Sequence, residues 1–288
     1  MVPLTDSALI QETTFRVVSY NLLGAGHTEG PTKNKHGFPN SAVRMPRSLA
    51  KFRETGASLA GFQEFQGSQF HRFQAAMPGW EVYPGLQLDP HSVQNSLVWD
   101  SGVWELVEAH TIQIPYFHGH LFRNPYVLLE NRSSGQRVWM GNFHNPANAH
   151  GPGGKYRARA TAIEAHLAST LAATAPVLIT GDMNDREKFI CPFMANSPMH
   201  ASNGAVMDGG CHVGNPLGID WITGSHSITF TDHLTDRSTK AVLASDHPMV
   251  SATATLPPQL DPELCDEASA GGRTYTFCPE AKVRLLTP

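Results

Sequence analysis

Short apolar runs that end in a polar residue recur along this chain. Residues 14–20, 58–62, 137–144 and 177–180 are rich in Val, Ile, Leu, Phe and Trp, and each ends at or within two residues of Asn, Gln, His or Asp. Runs of this length, bounded by turn formers, predict buried strands. Further strands are predicted over 93–99, 104–112, 126–130, 219–223, 227–231 and 249–255, with Ser133, Ser134 and Gly135 as a hairpin turn. Helical spacing takes over elsewhere. Val43, Leu49 and Phe52 predict a helix over 41–55 with a Ser cap, and residues 68–77 a second one. Tyr156, Ala160, Ile163, Leu167 and Leu171 predict a long amphipathic helix. Strands interleaved with helices make a mixed α/β protein. Residues 24–40 read as a long loop of Gly, Pro, Lys and His, and 113–122 as a wet, aromatic loop.

The same pattern sets the organisation. Residues 1–13 are expected to be a leader, 14–256 one domain, and 257–288 a tail beginning at Pro257-Pro258. A chain of 288 residues, 41% hydrophobic, is long enough for one large core. The net charge of −4 provides no general basic field for nucleic acid, so any polyanion contact must come from a local groove. No run reaches the apolar length of a membrane span, which predicts no stable membrane insertion. A monomer is expected.

Six polar motifs stand at the ends of the strand-like runs. They are Val18-Ser19-Tyr20-Asn21, Phe62-Gln63-Glu64, Asn142-Phe143-His144-Asn145, Gly181-Asp182-Met183-Asn184, Ile219-Asp220-Trp221 and Ser245-Asp246-His247. In α/β sheets, polar groups at strand ends collect at one rim. A rim holding one Glu, three Asp and two His calls for a cation or a reaction, because unpaired carboxylates are costly to bury.

In these motifs the chain resembles the endonuclease/exonuclease/phosphatase superfamily, the deoxyribonuclease-I-like fold. The resemblance covers residues 14–256 and rests on Asn21, Gln63-Glu64, Gly181-Asp182-Met183-Asn184, Ile219-Asp220-Trp221 and Ser245-Asp246-His247 in that order. Arg123-Asn124-Pro125-Tyr126-Val127 is similar to a strand of the deoxyribonuclease I branch, and His144 falls where that branch carries a second catalytic His. The resemblance implies a four-layer α/β sandwich, two mixed β-sheets flanked by helices.

It also implies roles. Glu64, Asn21 and Asp246 are expected at a Mg²⁺ or Mn²⁺ site, with Ca²⁺ as a further hard-cation option. His144, Asp182, Asn184, Asp220 and His247 are the expected catalytic residues, with Asp220 orienting His247. Arg123 and Asn145 are expected to hold phosphate, and Lys155, Arg157 and Arg159 to approach a polyanion. The expected activity is phosphodiester hydrolysis by direct attack of water, with DNA as first substrate. Inositol phosphates or sphingomyelin are the alternative, and a non-catalytic binding protein on the same fold is a third reading.

Four cysteines leave the compartment open. Cys265 and Cys278 enclose a short Gly- and Ser-containing loop and are expected to pair if the protein is exported. Without export all four are expected as thiols in a cytoplasmic enzyme, since residues 1–11 lack a signal-peptide pattern.

Overall fold

A computed structural model describes residues 9–30, 37–260, 266–270 and 273–277. The first sheet contains β2 (Thr13–Asn21), β3 (Leu59–Gln63), β4 (Trp80–Tyr83), β5 (Asn95–Asp100), β14 (Thr229–Asp236) and β15 (Met249–Leu256), in the order β14-β15-β2-β3-β5-β4. The second contains β6 (Trp104–Pro115), β7 (Leu121–Asn131), β8 (Arg137–His144), β9 (Val177–Asp182), β10 (Met199–Ala201) and β13 (Asp220–Ser225), in the order β10-β13-β9-β8-β7-β6. Both sheets are mixed. β2 runs parallel to β3 and β8 parallel to β9, and the other neighbours are antiparallel. Three two-stranded ribbons complete the strands: β1 (Leu9–Ile10) with β16 (Gln259–Leu260), β11 (Val206–Met207) with β12 (Cys211–His212), and β17 (Asp266–Ala270) with β18 (Arg273–Phe277).

Three apolar layers hold the sandwich. Val17, Leu59, Leu97, Trp99, Val138, Met140, Leu178, Ile222 and Ala252 fill the seam between the sheets. Outside the first sheet, α1 (Ser41–Glu54) and α2 (Gly67–Ala76) bury Met45, Leu49, Phe52, Phe70 and Phe73 against Tyr20 and Phe62. Outside the second, α3 (Gly153–Leu171) and α4 (Glu187–Ala195) pack on Trp139, Phe143, Ile179 and Trp221. The expected four-layer α/β architecture is the one found. A single turn, α5 (Ser238–Ala241), precedes the loop to β15.

Details differ where a side chain found a better partner. α1 is capped by Asn40, whose side chain accepts from Val43 N–H. Ser41, the expected cap, is buried and hydrogen-bonds Glu29 and Ser68. Val43 is exposed, and Met45 takes its place on the buried face. Residues 113–122 are half strand, the ends of β6 and β7, with one short 3₁₀ turn at Phe117–Gly119 between them. β4 and α4 were not expected from the pattern, and Pro192 inside α4 explains why a helix was hard to read there.

The seam is tightest at Gly61. A Cβ at that position would overlap Thr180 and Asn142 of the opposite sheet. Asn142 is fully buried and bridges the two sheets. Its Nδ2 donates to Phe62 O at 2.8 Å, Asn95 Oδ1 at 2.8 Å and Ser96 O at 3.0 Å, and its Oδ1 accepts from Gln63 Nε2 at 2.6 Å. A disulfide joins Cys191 of α4 to Cys211 of β12. The expected Cys265–Cys278 pair lies outside the described residues.

Candidate active site

Strand alternation decides what reaches the seam. Side chains two apart share a face. Phe15 and Val17 line the inter-sheet core, so Ser19 and Asn21 follow on that face. By the same parity Leu59 places Gln63, Val138 and Met140 place Asn142 and His144, Leu178 places Thr180 and Asp182, and Ile222 places Asp220. Register then brings them together. His144 lies opposite Asp182 across the β8–β9 pair, and Asp220 opposite Asp182 across β13–β9. The site sits where one end of the seam opens.

Asp182 is its centre and is buried. Its Oδ2 accepts from Asn21 Nδ2 at 3.0 Å, and its Oδ1 accepts from the Asn184 backbone N–H at 2.9 Å. His144 Nε2 lies 3.5 Å and His247 Nε2 3.7 Å from the same Oδ2. On the other side of the His247 ring, Nδ1 donates to Asp220, 2.9 and 3.1 Å from its two oxygens. Asn184 takes a left-handed φ of 50°, a conformation Asn tolerates better than most residues. There its Nδ2 donates to Asn145 O at 2.9 Å and lies 3.4 Å from His144 Nε2.

Electrostatics follow from this packing. Burial opposes a charge on His247, but Asp220, Asp182 and Asp246 outweigh it and hold the imidazole above its ordinary pKa, as the imidazolium. Asp182, Asp220 and His247 offer ligand-type atoms within 4.8 Å of one another. With Nδ1 bonded to Asp220, His247 has only Nε2 left to meet a ligand, so the three side chains can act as a hydrogen-bonded relay. Asp246 is half-buried and contributes to the field at His247, Tyr20 and Arg44.

Glu64 faces this relay from the other sheet. It takes a left-handed φ of 54°, costly for a residue with a side chain and informative at a site. Its carboxylate accepts from Gly24 N–H at 2.8 Å and Asn21 Nδ2 at 3.3 Å, and His27 Nε2 lies 3.2 Å away. Burial opposes its ionisation. His27, the field of His144 and the Gly24 amide prevail, so the carboxyl stays well below the usual carboxylate range. An ionised, partly accessible carboxylate is the donor a hard divalent cation takes, so the residues fit Mg²⁺ or Mn²⁺. Asn21 Oδ1 accepts from Leu23 N–H at 3.0 Å, and its Nδ2 clamps Glu64 and Asp182, so Asn21 supports the site from beside both carboxylates.

Three expectations are corrected. Asn145 is buried, with Nδ2 3.3 Å from Glu164 Oε2 and 3.6 Å from Met183 Sδ, so its side chain turns inward and only its backbone serves the site. Arg123 is half-exposed, with its guanidinium 3.5 Å from Asp89, and no contact links it to the relay. Arg157 is no polyanion contact either. It is buried, donating to Asp185 Oδ2 at 3.0 Å, Pro146 O at 2.8 Å and Asn148 Oδ1 at 3.0 Å. It ties the loop after His144 to the loop after Asn184. Arg157→Ala is expected to lower stability by about 2–3 kcal/mol, since bonds to charged groups are lost and Asp185 is stranded. Thermal unfolding checks this, and an unchanged Tm refutes it.

Other residues of the site gave no signal in sequence. Arg44 is fully buried and donates to Leu22 O at 2.7 Å, Pro39 O at 2.9 Å and Thr28 Oγ1 at 3.0 Å, shaping the loop after Asn21. Tyr116 sets its ring edge on His144, centroids 5.7 Å apart. Burial first, then Glu64 and Asp182, push its hydroxyl well above the ordinary value, so it stays protonated. Beside His247 and Asp220 lies a cavity of about 290 Å³ whose wall includes Arg186, Arg237 and His233. Among the described residues neither arginine has a carboxylate partner.

Comparison with known proteins is informative only at the level of structure. No family model matches the chain, and no curated protein sequence matches it. An endonuclease/exonuclease/phosphatase family protein from Bacteroides thetaiotaomicron superposes with a TM-score of 0.64 at 16% identity, over 85% of this chain and 96% of that one. The mannosyl-6-phosphatase Bt3783 of the same organism gives 0.62 at 16% identity, over 83% and 99%. TDP2 from D. rerio, complexed with a single-strand DNA product, gives 0.61 at 13% identity, over 84% and 99%. With the two six-stranded sheets and the seam described above, these likenesses show that the chain has the deoxyribonuclease-I-like fold of the endonuclease/exonuclease/phosphatase proteins.

Proposed function

We propose that this protein is a divalent-metal-dependent phosphoester hydrolase in which water attacks phosphorus directly. The observation that carries the reading is the convergence of two histidines on one carboxylate, His144 and His247 on Asp182 Oδ2, with the ionised Glu64 across the seam. Phosphoryl transfer needs a positioned nucleophile and neutralised oxygens more than covalent chemistry.

The roles follow from the atoms. Asp182 keeps lone pairs facing the site and accepts the proton of the attacking water. Asn21 and Asn184 fix its two oxygens, so the acceptor is oriented before substrate arrives. His247, held charged by Asp220, places a cation against a non-bridging phosphoryl oxygen. His144, with Asn184 Nδ2 beside it, is set to donate to the leaving oxygen. Glu64 would hold the metal, which when bound neutralises phosphate charge. No covalent enzyme intermediate is formed.

For the substrate we favour a nucleic acid phosphodiester, DNA first. TDP2, a protein of this fold, was seen with a single-strand DNA product, and the partly buried rings of Tyr116, Phe117 and Phe122 cluster beside His144, where a base could stack. A second reading, a small phosphate ester, is supported by the cavity with Arg186 and Arg237 in its wall and by the phosphatase of the same fold. One panel separates them: plasmid DNA, single-strand DNA, RNA, sphingomyelin, inositol phosphates, a sugar phosphate and a generic phosphodiester, each with Mg²⁺, Mn²⁺ or chelator. Hydrolysis that stops in chelator is expected. Full activity in chelator rejects the metal-dependent reading. Cleavage of DNA that is indifferent to Arg186→Ala and Arg237→Ala supports the nuclease. Turnover of a sugar or inositol phosphate with DNA intact, and a raised KM in those variants, selects the second reading.

A further inference from the structure

We propose that His27 is a ligand of the divalent metal, sharing it with Glu64, and that it makes the site prefer Mn²⁺ over Mg²⁺. The inference rests on Glu64 being the metal carboxylate. His27 belongs to none of the motifs that define the fold; it stands in the short 3₁₀ turn Ala25–His27, beyond the end of β2.

The first argument is distance. His27 Nε2 lies 3.2 Å from Glu64 Oε2. Two adjacent ligands on an octahedral ion with bonds of about 2.1 Å are separated by about 3.0 Å. The two atoms already sit at the spacing of neighbouring ligands around one cation. The imidazole is about half exposed and the carboxylate partly so, which leaves both free to turn towards one ion.

The second argument is the scaffold. The turn that carries His27 is fastened to the residues that follow Glu64. Ala25 N–H donates to Gln69 Oε1 at 3.1 Å, Gly26 N–H to Gln66 Oε1 at 2.6 Å, and His27 N–H to Gly24 O at 3.0 Å. Gly24 permits the approach, because a Cβ there would come within 3.0 Å of Gln66 and 3.3 Å of Glu64. Gln69 Nε2 in turn donates to Leu22 O and Leu23 O, both at 3.2 Å. Glu64 and His27 are thus placed by one hydrogen-bonded unit. An exposed ion pair adds little to stability and does not account for that much support.

The third argument is ligand chemistry. Oxygen-only sites suit Mg²⁺, which sheds water reluctantly. An imidazole nitrogen raises affinity for transition ions relative to Mg²⁺. One such ligand therefore shifts the site towards Mn²⁺.

The test is direct metal binding, followed by titration calorimetry on the whole protein, wild type, His27→Ala, His27→Gln and Glu64→Gln. Wild type is expected to bind Mn²⁺ more tightly than Mg²⁺. His27→Ala and His27→Gln are expected to weaken Mn²⁺ by about tenfold or more while changing Mg²⁺ little. Pulsed EPR of bound Mn²⁺ is expected to show nitrogen modulation in wild type and none in His27→Ala, with thermal melts confirming the fold. Unchanged Mn²⁺ affinity in both His27 variants, or nitrogen modulation that persists, overturns the proposal while leaving the metal reading in place. If Glu64→Gln binds both ions as wild type does, or wild type binds neither, the metal reading fails and this proposal with it.

Discussion

Asp182→Asn is expected to lower kcat by about a thousandfold or more with little change in fold. General acid–base groups contribute about 10²–10⁴ in rate, and this one also carries the charge on which two histidines converge. The amide keeps the shape of the carboxylate, and its oxygen still accepts a hydrogen bond from Asn184 or Asn21. It loses the basicity needed to take a proton from water. It also removes one of the two largest influences that keep His247 charged, so the remaining activity is expected to fall off at lower pH than in wild type. A kcat–pH profile of both proteins, with circular dichroism as folding control, checks the result. Near-normal turnover in Asp182→Asn would remove the proton acceptor from the mechanism.

The second large effect concerns stability. Glu164→Gln is expected to stabilise the protein at neutral pH by about 3 kcal/mol and to do little at pH 4.5. Glu164 is buried within α3, and burial pushes its pKa up to about 8 against the opposing bond from Asn145. In the unfolded chain the group ionises near its reference value of 4.5. Between these values the folded state keeps a proton that the unfolded state gives up, so stability drains away as pH rises from 4.5 towards 8 and levels off beyond. At pH 7 the loss amounts to about 3 kcal/mol at 1.36 kcal/mol per pK unit. Glutamine has no proton to lose. It can accept from Asn145 Nδ2 and donate to Asn145 Oδ1, one of two oxygens in this pair, with Glu164 Oε1, that have no partner. Denaturant unfolding at pH 5 and pH 8 gives the answer. If the variant is no more stable than wild type at pH 8, Glu164 is not held neutral by the fold.

What could be read in the sequence was whatever depends on neighbours along the chain. Parity two placed Asn21, His144 and Asp182 on the faces of strands whose buried partners, Val17, Met140 and Leu178, were already visible as apolar positions. A carboxylate in Ile-Asp-Trp-Ile must have a partner, and it was the family resemblance that named His247 as that partner. What could not be read depends on remote partners. Arg157 was expected to approach a polyanion, because Asp185 and the Pro146 carbonyl that claim it lie on other elements. Glu164 and Arg44 had the appearance of ordinary helix surface charges. His27 stood in a loop whose conformation is set by Gln66 and Gln69, some forty residues away. Asn145 sat inside a motif yet turned the other way, which parity explains: it is one residue beyond His144.

The close approach of the sheets at Gly61 ties chemistry to mechanics. Asn21, Glu64 and His247 ride on one sheet and its loops, while His144, Asp182 and Asp220 ride on the other. The contacts of Asn21 and His247 with Asp182, and of His247 with Asp220, therefore span a gap whose width is set by a missing side chain and by one asparagine bridge. A sliding or swelling of the sandwich by less than an ångström pulls acceptor from donor long before any secondary structure melts. Activity is therefore expected to act as a strain gauge on the interior: it should register the spacing of two sheets and, on heating, be lost while the strands are still intact.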